Sequence, residues 1–270
     1  MEQIEFSPRD FDDLKDAFEV LEFPSLPARI TNIIGIPIES ALERIPDSWS
    51  TSIYTATRKA LTKALDVVAE RMNTRDVGKP PSIGWHKFIS GVSGAAGGAF
   101  GLPALALELP VSTVIMLRAI ADVARSEGED LGKIESRLAC LEVFALGGRA
   151  EVDDAAETGY FGVRVALAKS VTEAVKYIAA QGLADDSAPA LVRFISKIAT
   201  RFGATVSEKV AAQTIPIIGA ASGAAINVLF TGHFQDMAHG HFTIRRLERK
   251  YGPELVRSEY EKLKNYNFNQ

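Results

Sequence analysis

Three of the chain's four histidines stand in "TGHFQDMAHGHF", residues 231–242. His233, Asp236 and His239 recur every three residues, and on a helix residues three apart share a face. Imidazole nitrogens and carboxylate oxygens are ligands for a divalent metal, and Glu108, Asp122 or Glu127 could complete such a set. The ion would polarise a substrate or activate water, which is the chemistry of a metal-dependent hydrolase. Neither H-E-x-x-H nor E-x-x-H occurs, however. The plainer reading has His239 and His241 closing a helix near Gly240 and making ordinary hydrogen bonds.

Glu108 is the most informative single residue. It is the one charge between Phe88 and Leu117. A carboxylate in so apolar a run is costly unless it is paired or protonated. It therefore needs a partner: Arg118, a histidine, or backbone amides freed near Pro110. Glu108, Arg118, Asp122, Glu127 and His241 together form the candidate polar site, either an ion pair that fixes helix register or a proton or metal site.

The glycines of "GVSGAAGGAFG" (91–101) invite a phosphate-loop reading. No strand precedes them and no Gly-Lys-Ser/Thr follows, so the reading has little support. Ser93 misses the G-x-S-x-G elbow by one position. Their better use is close approach of two helix backbones, which small residues permit.

A second charged feature is "HFTIRRLERKYG". Arg245, Arg246, Arg249 and Lys250 face a single acid, Glu248, and form either a solvated helix face or a patch for anionic lipid headgroups. Overall the balance of 30 basic and 34 acidic side chains gives −4, which argues against general nucleic-acid binding. Cys140 is the only cysteine, so a disulfide within the chain and a thiolate zinc site are both excluded. The N-terminus lacks a basic region followed by an apolar run. The expected location is the cytoplasm, peripheral to or inserted in the inner membrane.

The elements carrying these residues read as helices. Apolar residues recur at helical spacing at Leu61, Leu65, Val68 and Met72; at Ile134, Leu138, Leu141 and Ala145; at Phe161, Leu167, Val171, Val175 and Ile178; and at Leu191, Phe194, Ile198 and Phe202. Period-two alternation is nowhere sustained, so no sheet is expected. Proline, glycine and capping residues at 23–27, 45–49, 76–84, 147–154 and 181–189 divide the chain into roughly eight to eleven helices. The stretch 76–84 is the most linker-like. Gly128 suits a helix C-cap, and Glu129 and Asp130 suit the start of the next helix.

Two runs are nearly uncharged, Phe88 to Leu117 and Val210 to Gln235, and each exceeds the roughly 20 residues that cross a bilayer. Pro103, Pro110 and Glu108 count against a simple span. A helical hairpin bent at Leu102 to Pro110 fits better, packed against Ile215 to Phe230 or opening into lipid.

In this order and spacing, "GLPALALELPVSTVIMLRAIADVARSEGED", "LEVFALGG" and "IPIIGAASGAAINVLFTGHFQDMAHGHFTIRRLERKYG" resemble the EcsC family. The resemblance runs from about Trp49 to Gly252. It implies a bacterial, mainly helical protein with a transport or membrane connection and no established biochemical role, so no site residue is carried over. The expected architecture is all-α: a compact multi-helix domain with a glycine- and alanine-rich buried helical hairpin and no sheet, divided into an N-terminal helical arm (1–48) and an EcsC-like helical domain (49–270). The leading function is a membrane-associated accessory protein with no cofactor, its partner a membrane surface or an ABC transporter subunit. The alternative is a metal-dependent hydrolase using a divalent ion. A helical interaction module stays open beside both.

Overall fold

The computed structural model describes residues 6–69, 102–147, 159–182, 188–213 and 220–268. These form ten helices, with no strand among the described residues. In chain order they are α1 (Pro8–Glu22), α2 (Leu26–Ile34), α3 (Ile38–Leu42), α4 (Trp49–Ala69), α5 (Leu102–Ser126), α6 (Ile134–Leu146), α7 (Tyr160–Gln181), α8 (Pro189–Gln213), α9 (Ala220–Tyr251) and α10 (Pro253–Phe268).

The apolar periodicities become the core. Leu191, Phe194, Ile198 and Phe202 of α8 are buried, as are Leu138, Leu141 and Ala145 of α6. Aromatic rings from three helices meet at the centre: Phe144 lies 4.9 Å from Phe202 and 5.2 Å from Phe234 between centroids, the tilted spacing that ring quadrupoles favour.

The N-terminal segment lies on this body. Ser7 caps α1 by accepting a hydrogen bond from the Asp10 amide, and Pro8 fills the first helical position, where a missing N–H costs nothing. Leu14, Ala17, Phe18 and Leu21 then form one buried stripe, which packs on α9 and α10. Helix α2 also rests on α9, and α3 on α8.

Two expected helix boundaries are absent. Helix α5 runs from Leu102 to Ser126 as one element, so Leu102 to Pro110 is helical and forms no turn between two helices. Pro103 sits in the first turn, where proline is tolerated. The bond that Pro110 cannot make would have ended on the carbonyl of Ala106, an exposed residue whose oxygen water can serve. Likewise α9 passes through Gly240 and ends only at Tyr251. A Cβ at Gly240 would lie 2.8 Å from Leu21 Cγ, so this glycine admits the α1 side chain onto α9 and does not stop the helix.

Helices α5 and α9 run parallel in fixed register. Glu108 pairs with Asn227 and Glu127 with Arg246, both across 119 residues. The described parts of the two uncharged runs thus pack together, α5 on α9; Gly91 to Gly101 and Ile215 to Gly219 lie outside the described residues. Among the described residues, no helix is long and apolar enough to cross a membrane.

Candidate functional site

Glu108 has partners that its sequence neighbourhood does not suggest. Its Oε1 accepts from Lys209 Nζ at 2.6 Å and from Asn227 Nδ2 at 2.8 Å, in place of the expected Arg118, histidine or backbone amides. Lys209 is wholly buried. Burial pushes its ammonium below the ordinary lysine range, while the Glu108 charge and hydrogen bond oppose that shift. The Lys209 ammonium also lies 5.2 Å from the centre of the Phe230 ring. One carboxylate thereby ties α5, α8 and α9 together, and its apolar surroundings make the pairing obligatory. Arg118 is exposed and does not join this pair.

The four basic residues near the end of α9 are likewise engaged. Arg245 and Arg249 both donate to Glu129, from Arg245 Nε at 2.8 Å. Arg246 donates to Glu127 at 2.7 Å, to Asp13 at 2.7 Å and to Asp10 at 3.1 Å, and Lys250 donates to Asp10 at 2.6 Å. Glu129 is therefore not a helix-start acid. The turn through Gly128, with φ +82°, delivers it buried onto the α9 arginines. Burial alone would raise its carboxyl, but the bonds from Arg245 and Ser136 and the charges of Arg245 and Arg249 hold it below the ordinary range. Hydrogen bonds from Lys250, Ser7 and Tyr251 likewise depress Asp10. Most of the charge on this stripe is spent inside the protein, clamping α1 and the α5–α6 turn to α9, which weakens the case for a lipid patch.

The histidines are dispersed. His233 donates from Nε2 to the Gly147 carbonyl at 2.9 Å, and burial lowers its pKa to about 4. Asp236 is exposed and pairs with Arg29 at 3.3 Å. His239 lines a polar pocket with Asp13 and Asp16. His241 lies 3.0 Å from the Tyr160 hydroxyl through Nδ1, and its Nε2 has no partner among the described residues. Burial first, then Arg164 and Arg245, keep this ring neutral. Asp122 pairs with Arg125 on its own helix. Among the described residues, no group of three or more His, Cys, Asp or Glu stands where it could hold a metal ion.

The remaining candidate, Arg118, belongs to a groove between α4 and α5. Arg137 of α6 donates to the Val68 carbonyl at 2.7 Å. Since α6 follows α5 after a short turn, the C-terminal ends of α4 and α5 lie together and the two helices run in the same direction. Between them lies a groove of about 800 Å³. Its floor is apolar, with Pro110, Val111, Val114 and Ile115 from α5 facing Tyr54 and the hydrocarbon stems of α4. Val111 is 54% exposed and Leu107, one turn before it, 77%. Arg58, Lys59, Lys63 and Arg118 rim the groove against one acid, Asp66. Asp66 lies 3.6 Å from Lys63; Arg58, Lys59 and Arg118 have no hydrogen-bond or ion-pair partner among the described residues.

The sequence reading overlooked Lys209 and Asn227. Lys209 borders the uncharged run and Asn227 is a polar residue within it, and that position was the available signal. Arg58 and Lys59 were overlooked as well, because alternating charge on α4 reads as an ordinary solvated face.

The family model for EcsC matches residues 6–247. The chain belongs to the EcsC protein family. The EcsC match starts at residue 6, so it takes in α1 to α3, which the resemblance from Trp49 onward had left aside. No curated protein and no solved structure matches the chain.

Proposed function

We propose that this EcsC protein is a peripheral, membrane-associated accessory protein that docks on anionic lipid through the α4–α5 face. The observation that carries the reading is the groove itself: an apolar floor with Val111 exposed, next to exposed Leu107 one turn earlier, and rimmed by Arg58, Lys59 and Arg118, which are unpaired among the described residues. Exposed apolar surface bordered by polar residues marks binding sites. Free cations beside it add about 1 kcal/mol each near an anionic surface. By contrast, the basic residues of α9 are already held by acids of the same chain. The hydrolase reading has no donor cluster among the described residues to build on.

Flotation with protein-free vesicles tests the proposal. The protein should rise with phosphatidylglycerol vesicles at low salt, rise less at high salt, and stay down with phosphatidylcholine. Failure to bind phosphatidylglycerol vesicles at low salt would sink the lipid reading. Binding restricted to native membranes would instead point to a membrane-protein partner such as a transporter subunit.

A further inference from the structure

The groove is asymmetric along its length. Because α4 and α5 run in the same direction, Tyr54, Pro110 and Val111 mark one end, and Lys63, Asp66 and Arg118 the other. Arg58 and Lys59 stand one turn beyond Tyr54 and Thr55. The volume of about 800 Å³ falls in the range that encloses whole small ligands, well beyond what a headgroup alone would need. The apolar α5 residues, facing Arg58 and Lys59 of α4 with Arg118 at the far end, are complementary to an amphiphile with a hydrocarbon tail and an anionic head.

We infer that the α4–α5 groove takes up the hydrocarbon chain of one anionic membrane lipid. The chain lies along Pro110, Val111, Val114 and Ile115, and the headgroup is held among Arg58, Lys59 and Arg118. This rests on the docking reading above and adds to it: the lipid tail enters the protein, so binding depends on the tail as well as on the charge. Each methylene transferred from water to an apolar floor tightens binding about fourfold. The gain must stop where the apolar stretch does, short of the roughly 18 Å from Tyr54 to Asp66 at the helical rise per residue, because the headgroup occupies part of that length. Attraction to surface charge alone has no such dependence.

The test is calorimetric titration of the full chain with n-alkyl sulfates of increasing length, each below its micelle concentration, alongside vesicle flotation. Affinity should rise by up to about fourfold per methylene and then level off. An n-alkanol of equal length should bind more weakly. Val111→Trp, at a position more than half exposed, should weaken binding of the longest chains by about tenfold or more, as bulk added to the groove costs about 1–3 kcal/mol. Affinity independent of chain length, with flotation intact, would overturn tail uptake and leave surface docking standing. Loss of both would overturn the two together.

Discussion

Glu108 meets Asn227 across the same interval of 119 residues at which Glu127 meets Arg246. Two contacts, 19 positions apart in each segment, one from α5 and one from the residue that follows it, hold α5 and α9 parallel and in register. At one end the register is held by a buried carboxylate bound also to Lys209, at the other by an arginine bound to three acids. Both ends are polar.

Removing one member of the Glu108–Lys209 pair should cost about 3–5 kcal/mol, because the other is left charged and buried. Urea denaturation of Glu108→Ala and of Lys209→Ala measures each loss. The double variant Glu108→Leu with Lys209→Met should recover most of it, since an apolar pair of similar size removes the unpaired charge.

Arg246 is the branching point of the α1 clamp, bonding Asp10, Asp13 and Glu127. Its side chain is about a third exposed, so solvent screening reduces its worth, and Arg246→Ala should cost about 1–2 kcal/mol. Thermal unfolding reads that cost. Vesicle binding by the folded variant should stay at the wild-type level.

Acid should destabilise the protein through its buried histidines. His233 titrates at about 4 when folded, against an ordinary 6.5. Between these values the unfolded chain binds more protons than the folded one, so stability is full above pH 6.5 and falls as the pH drops toward 4. Complete titration corresponds to about 3 kcal/mol. His241 is shifted in the same direction by burial. His233→Gln keeps an amide able to donate to the Gly147 carbonyl, and should flatten the midpoint-versus-pH curve over that window.

Gly240→Ala tests whether this glycine is a contact residue. The new methyl would stand 2.8 Å from Leu21 Cγ, an overpacking that costs about 1–3 kcal/mol, against a gain of about 1 kcal/mol in helix propensity. Denaturation should show net destabilisation in the wild-type background. With Leu21→Ala already present, the same substitution should become stabilising.

Much of the fold was legible because helical periodicity is local. The set Leu191, Phe194, Ile198 and Phe202 could be read off as a core face, and all four are buried. What misled were local rules overridden by distant contacts. Pro110 suggested a bend and Gly240 a helix end, yet α5 continues as helix through the first and the packed Leu21 side chain accounts for the second. The candidate site was less legible. Arg245, Arg246, Arg249 and Lys250 form an open basic stripe on paper, and only folding brings Glu129, 116 residues away, and Asp10, 240 residues away, onto them. Arg118 suggests itself as a partner for Glu108, but in the fold it lines the α4–α5 groove with Arg58 and Lys59, which local sequence does not link to it.

Under the proposed docking, the charge that meets lipid is that of α4 and α5, while that of α9 is consumed within the fold. The most direct measurement is the partition coefficient onto phosphatidylglycerol vesicles at low salt for wild type, Arg58→Ala/Lys59→Ala/Arg118→Ala, and Lys250→Ala. At about 1 kcal/mol for each cation, the triple variant should bind roughly a hundredfold more weakly, and Lys250→Ala should match wild type. Wild-type partitioning by the triple variant, or a comparable loss in a folded Lys250→Ala protein, would contradict the account.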